Sequence, residues 1–217
     1  MKTNMQQVIT PAAIRARMTT ARQRLDVIIS VLKKEDLPGL PVHYGFYNTT
    51  IGEILLAATP QGICYAGFTN GQQDVALVDM ARRHPGAAYS QQANAFHQEA
   101  LQWLDQPGRT SPPLHLHLKG TSFQLEIWQK LLAIPFGAVT TYAQLGGSPQ
   151  MARAAGTAVG DNPVCFLVPC HRVVRSNGRF EGYFWGMERK QQLLALEAQP
   201  QETGSQTRPS PVTLPYI

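Results

Sequence analysis

Between His43 and Asn70 the chain breaks into three short β-rich runs, HYGFYN, IGEILLAATP and GICYAGFTN, interrupted only at Asn48-Thr49 and Pro60-Gln61-Gly62. Runs of this length, rich in aromatic and branched residues and separated by two- or three-residue turn clusters, pair with their sequence neighbours. They predict a hairpin or three-strand meander, which commits this half of the chain to a sheet. Two helical stretches follow, QDVALVDMARRH and QQANAFHQEALQWLDQ, then a proline-rich turn and a short strand, LHLHLK. The expectation is a small α/β domain over residues 43–118. Cys64 alternates with apolar neighbours and reads as a buried structural thiol. His115 and His117 share a strand face; with no third ligand in sight they read as surface or interface histidines.

Ahead of the sheet, Ile14, Met18, Ala21, Leu25, Ile28 and Leu32 recur at threes and fours, with Arg15, Arg17, Arg22 and Arg24 between them. This spacing predicts a basic amphipathic helix from Pro11 to Lys34, packed on the surface and stopped by the LPGLP stretch. Residues 1–42 are read as an N-terminal extension carrying it.

After Gly120 the pattern turns helical. Ser122 is placed to cap FQLEIWQKLLAI, whose Phe123, Ile127, Leu131 and Ile134 share one face beside Trp128. PFGAVTTYAQLGG and SPQMARAAGTAV then give two short helices about a tight glycine turn, the pattern of a helix-turn-helix. The second carries Arg153 among small side chains. A helix entering a groove needs small side chains, and a tightly packed core helix accounts for the alanines equally well. A last helix, GMERKQQLLALEA, closes a domain over residues 119–198, and residues 199–217, with four prolines and no apolar period, read as a disordered tail.

Composition limits what such a chain can be. With 217 residues and 43% hydrophobic content it can form one or two domains of about 100 residues. Three cysteines without a Cys-x-x-Cys pair exclude a disulfide framework or a zinc ribbon, and point to reduced thiols. No signal peptide is evident, and no apolar run approaches the roughly 18 residues that span a bilayer, so a cytoplasmic protein without a membrane partner is expected. The net charge of +5 is concentrated at the two ends of the chain, which suits a polyanionic partner such as nucleic acid.

The stretch FLVPCHRVVRSNGRFEGY sets Cys170 against His171, with Arg172 and Arg175 close by. A thiol attacks well only as the thiolate, so a reactive cysteine needs a group that accepts its proton. Neighbours on an extended strand point to opposite faces, so His171 reaches Cys170 only if the chain turns there or a water bridges them. Glu197 on the last helix can orient the imidazole, completing a nucleophile, base and orienter. The dipeptide alone also fits a structural cysteine, a Cys-His hydrolase or a thiol redox enzyme. The hydrolase would need an oxyanion hole, and the redox enzyme a resolving partner; Cys165, on a strand and facing away, is a poor one.

Read together, GTSFQLEIWQKLLAIPFGAVTTYAQL, ARAAG with GDNP, and VPCHRVVRSNGRFEGYFWGMERKQQLLALE closely resemble the O6-alkylguanine-DNA alkyltransferases, the methylated-DNA-protein-cysteine methyltransferases. The match runs from about Gly120 to Glu197, with residues 43–118 resembling the family's N-terminal domain more loosely. The resemblance implies an α+β protein: a small ribonuclease H-like α/β domain followed by a winged helix-turn-helix alkyltransferase domain. It implies single-turnover transfer of an alkyl group from O6-alkylguanine, and O4-alkylthymine, in double-stranded DNA to Cys170, by a monomer without a cofactor. His171 relays the thiol proton through water to Glu197, and Tyr142 helps rotate the nucleotide and protonates the leaving base. DNA contact is implied for Arg153, which fills the gap left by the flipped nucleotide, for Asn162 at a hinge, and for Arg172. Val173, Tyr183 and Trp185 are expected to line the alkyl pocket. Two features depart from the family: a helix-turn-helix about three residues short between Tyr142 and Arg153, and a bulky Phe184-Trp185 where many relatives are small. A lesion-binding regulator that transfers nothing is the alternative, which the presence of Cys170 disfavours.

Overall fold

The structure is a computed structural model that describes residues 10–18, 26–105, 113–180 and 182–198. The chain opens with helix α1 (Pro11–Ala16) and strand β1 (Val27–Val31), followed by the meander β2 (Pro41–Thr49), β3 (Gly52–Thr59) and β4 (Gly62–Phe68). Helix α2 (Gln73–Arg83) leads to β5 (Ala88–Gln91), and α3 (Ala95–Asp105) to β6 (Leu114–Leu118). These strands form one sheet in the order β1-β6-β4-β3-β2-β5, antiparallel within the meander and parallel outside it. The turn into β4 requires glycine: Gly62 has φ +144°, and a Cβ there would meet the His115 carbonyl oxygen at 2.7 Å.

Alternation along β3 explains why the sheet has two covered faces. Ile54, Leu56 and Ala58 join one core with Ala100 and Trp103 of α3, while Leu55 and Ala57 join Cys64, Tyr65 and the α2 residues Ala76 and Met80 on the other side. The first core continues without a break into Ile127, Trp128 and Leu131 and on to Leu167 and Cys170. The sheet is thus packed directly against the second half of the chain.

That half contains α4 (Ser122–Leu132), a two-residue strand β7 (Thr140–Thr141), α5 (Tyr142–Gly146), α6 (Ala152–Gly160), a 3₁₀ turn at Cys170–Arg172, β8 (Val173–Val174) parallel to β7, and α7 (Met187–Leu196). Helix α5 is a single capped turn closed by Gly147 at φ +87°, the abbreviated first member of the helix-turn-helix. Helix α6 has two distinct faces: Ala155 and Ala158 are buried, as a packed core helix requires, whereas Arg153 and Ala154 are exposed. A tight turn over residues 175–179, closed by bonds between Arg175 and Arg179 and between Gly178 and Arg175, forms the wing.

The structure differs from the sequence reading in several places. The long basic helix ends at Ala16; Val27–Val31 is a strand paired in parallel with Leu114–Leu118, so the extension contributes to the sheet. Four of the five residues in Val27-Ile28-Ile29-Ser30-Val31 are β-branched, and pairing with β6 outweighs the helical spacing. Residues 19–25, which belonged to that helix, and the 199–217 tail lie outside the described residues. His117 is not a surface residue: it is 3% exposed and its Nδ1 lies 2.8 Å from Thr59 Oγ1. The N-cap of α4 is Thr121, which with Gln124 forms a capping box. Cys165 sits on an irregular loop rather than in a strand.

Candidate active site

Asn162 shapes the loop that delivers the cysteine. Its Nδ2 donates to the Val168 carbonyl at 2.8 Å and its Oδ1 accepts from the Val164 amide at 3.1 Å, closing residues 162–168 from within. The same loop is held to β4, with Ala66 N donating to Pro163 O and Cys165 N to Ala66 O. Pro169 then leads into the 3₁₀ turn, so Cys170 and His171 sit on a turn and strand alternation does not apply to them. Asn162 is 6% exposed; it belongs to the loop and the wall of the site, not to a DNA-facing surface.

His171 and Arg172 both converge on Glu197 at the end of α7. His171 Nε2 lies 2.8 Å from Glu197 Oε1, and Arg172 donates to both carboxylate oxygens, at 2.9–3.1 Å, and to the Ile134 carbonyl at 2.6 Å. The Gly137 amide adds a further bond to Glu197 Oε2 at 3.2 Å. Burial acts to raise the Glu197 pKa, but His171 and Arg172 more than offset it and hold the acid down at about 2. An ionised carboxylate can only accept, so the shared proton belongs to His171 Nε2. Burial also lowers the His171 pKa, against the raising effect of Glu197. Burial thus favours the neutral imidazole, and its Nδ1 is buried with no hydrogen-bond partner among the described residues. A neutral histidine with its Nε2–H held by a carboxylate and its Nδ1 open has the arrangement that lets an imidazole accept a proton.

Arg172 is corrected by this arrangement. It is 4% exposed and its guanidinium lies over Phe136, so it is spent on Glu197 and cannot contact DNA. Val173 is likewise buried in the β7–β8 pair and absent from the pocket wall; its carbonyl instead accepts from Lys190 Nζ at 2.7 Å.

Beside Cys170 lies a small chamber of about 40 Å³, lined by Tyr142, Asn162, Tyr183, Trp185 and Lys190 among others. The Cys170 thiol lies 3.7 Å from the Tyr183 hydroxyl. Burial, and then the charge of Cys170, push both tyrosines above their usual pKa, so each stays a phenol able to donate. Trp185 is wedged against Gly67 of β4, where a Cβ would come within 2.4 Å of the indole, and packs edge-on against Phe68. The N-terminal sheet therefore fixes one wall of the chamber.

Lys190 is the residue that sequence reasoning missed. It is 1% exposed and sits 5.7 Å from the ring centres of Phe180 and Tyr183, and burial lowers its pKa to about 8 while Cys170 acts to raise it. Its spacing to Leu193, Leu194 and Glu197 on the inward face of α7 was the available signal. The other two thiols are poorly suited to react: burial pushes Cys64 up to about 12 and Cys165 well above its usual value.

The chamber shares Tyr142, Gly156 and Gly182 with an open groove of about 540 Å³, whose walls are α6, carrying Arg153, and the wing, carrying Arg175 and Asn177. A comparably large basic cleft, of about 590 Å³, lined by Lys33, Arg82 and Lys119, holds no cysteine and is separate chemically from this site. Among the described residues no group of His, Cys, Asp or Glu is arranged to hold a metal ion.

Comparison with known proteins follows the same division. The ribonuclease-like domain of 6-O-methylguanine DNA methyltransferase matches residues 42–106, and the DNA binding domain of 6-O-methylguanine DNA methyltransferase matches residues 122–199. The regulatory protein ada of Salmonella typhimurium is 36% identical over 74% of this chain, which spans about half of that protein's length (47%). A methylated-DNA--protein-cysteine methyltransferase of Methanosarcina acetivorans is 33% identical over 72% of this chain and 98% of its own. The structure of Mycobacterium tuberculosis OGT in complex with DNA superposes with a TM-score of 0.58 at 31% identity, over 72% of this chain and 92% of that one. With both halves matched in order, and with Cys170 lining the chamber and next in sequence to the His171 of the His171–Glu197 pair, the chain belongs to the 6-O-methylguanine DNA methyltransferase family.

Proposed function

We propose that this protein repairs DNA by direct reversal, moving a methyl group from O6-methylguanine in a duplex to Cys170 once per molecule. One observation carries the reading: the only cysteine beside a neutral, carboxylate-held histidine borders a chamber that opens into the groove between α6 and the wing. Guanine O6 lies on the pairing edge inside the duplex, so the base must leave the stack before sulfur can reach the carbon attached to it. Arg153, exposed on α6 and lining the groove, fills the gap.

In the reaction the Cys170 proton passes toward His171 Nδ1, and the sulfur attacks the methyl carbon. The S–C bond forms as the C–O bond breaks, and Tyr142 protonates the departing guanine. Lys190 supports the negative sulfur. The thioether has no route back, which makes the protein its own co-substrate. DNA phosphates are met by the basic groove, and the protein acts as a monomer in the cytoplasm; no helix among the described residues is long and apolar enough to cross a membrane.

The test is a single-turnover assay with a duplex carrying one O6-methylguanine. Guanine should be restored in proportion to protein, up to one per molecule. Tight binding with no loss of the methyl group would instead favour a lesion-binding regulator.

A further inference from the structure

Neither family match extends over the first 41 residues, yet part of that segment is built into the catalytic half of the molecule. Ile14 is 0% exposed in a small core with Val139, Val174 and Leu194, which are themselves fully buried. Met18 forms a parallel bridge with Val139, whose amide donates to the Arg17 carbonyl at 2.9 Å. Arg15 donates to the Asn177 carbonyl at 2.7 Å, and the Pro11 carbonyl lies so near Gly178 that a Cβ there would come within 2.4 Å of it. The arm therefore runs from the wing to the end of α7.

Its Arg17 side chain ends beside the carboxylate that holds His171. Arg17 Nε donates to the Gly137 carbonyl and Nη1 to the Leu194 carbonyl at 2.8 Å. The amide of the same Gly137 donates to Glu197 Oε2, and Leu194 lies in the turn that precedes Glu197. Arg17 thus grips the backbone on both sides of the carboxylate that orients His171. We infer that Arg17 is a positioning residue for alkyl transfer, and that the arm Thr10–Met18 serves as a clamp holding Glu197 on His171.

The inference rests on the proposed reading of the site. Charges facing the His171–Glu197 pair come from three elements: Arg172 on the 3₁₀ turn, Lys190 on α7 and Arg17 on the arm. Removing one cation makes His171 easier to protonate, so the acid limb of the rate profile should move to higher pH.

The experiment compares wild type with Arg17→Ala, Arg17→Lys and Ile14→Ala, the last loosening the arm without changing its charge. Single-turnover methyl transfer is followed across pH, binding to a methylated duplex is measured by fluorescence anisotropy, and ¹⁵N shifts report the His171 tautomer. Arg17→Ala should slow transfer about tenfold, a 1.4 kcal/mol rise in barrier, move the acid limb up and leave duplex binding unchanged. Arg17→Lys should recover part of the rate, and Ile14→Ala should show a smaller loss of the same kind. If Arg17→Ala does not fold, the other two variants carry the test. Wild-type rate, pH profile and tautomer in the folded variants overturn the clamp. Were wild type itself unable to transfer, the functional reading would fall, and the tautomer shift alone would decide whether Arg17 positions His171.

Discussion

Lys190 makes the sharpest residue-scale prediction. With its pKa lowered to about 8, its ammonium is present through neutral pH and lost as pH rises through 8. Transfer should therefore fall along an alkaline limb near pH 8, beside an acid limb set by His171, which must be neutral to accept a proton. Lys190→Met should lower the plateau roughly tenfold, if the lost charge is worth about 1.4 kcal/mol, and show no break at 8. An unchanged plateau and limb would remove Lys190 from the chemistry. Trp185 makes a second. A chamber of about 40 Å³ beside Cys170, walled by Trp185, admits a methyl group more readily than a benzyl group. Trp185→Gly should raise the benzyl-to-methyl rate ratio tenfold or more in paired single-turnover assays. At this scale the cysteine, its histidine and the distant glutamate were legible in sequence, because their types are unusual in such settings. Lys190 and Arg17 were not, since a buried cation on an amphipathic helix looks like a surface one until its neighbours are known. Arg172, for which the resemblance implied DNA contact, instead finds its anion inside the protein, in Glu197.

Among the elements, the loop 162–168 depends on one side chain. Asn162→Ala leaves the Val164 amide and the Val168 carbonyl without these partners, costing about 2–4 kcal/mol and lowering Tm by roughly 5–15 °C in scanning calorimetry. Helix α6 is tested differently, through Arg153→Ala. Repair in duplex DNA should slow far more than transfer from the free base, which needs no flipped nucleotide replaced; equal losses would count against a finger role. The meander, the helices after it and the shortened helix-turn-helix were legible because their periods and turn residues agree. Strand β1 was not. Its Ile28 and Leu32 continue a helical spacing begun at Ile14, and only the presence of β6 alongside decides for the extended form.

Across the whole molecule, the sheet and the catalytic half share one core, and Trp185 on Gly67 is where the sheet touches the chamber. Stability should carry the signature of the buried Glu197. Its folded pKa lies below the ordinary value of 4.5, so its contribution is complete above that pH and is lost as pH falls toward 2. By linkage this is on the order of 3 kcal/mol. In urea titrations the gap between wild type and Glu197→Gln should shrink over that window, whereas a constant gap would mean that Glu197 is not held as a buried anion. Of the long-range pairings, the sequence offered Glu197 as the orienter of His171 by residue type and by family resemblance, whereas nothing in it joined residue 17 to 197. The central claim, transfer to one cysteine, is tested most directly by peptide mapping after incubation with O6-methylguanine duplex. The methyl group is expected on the peptide holding Cys170, at one per protein, and absent when Cys170→Ala is used. A methyl group on Cys64 or Cys165, or an unmodified protein beside repaired DNA, would contradict the account.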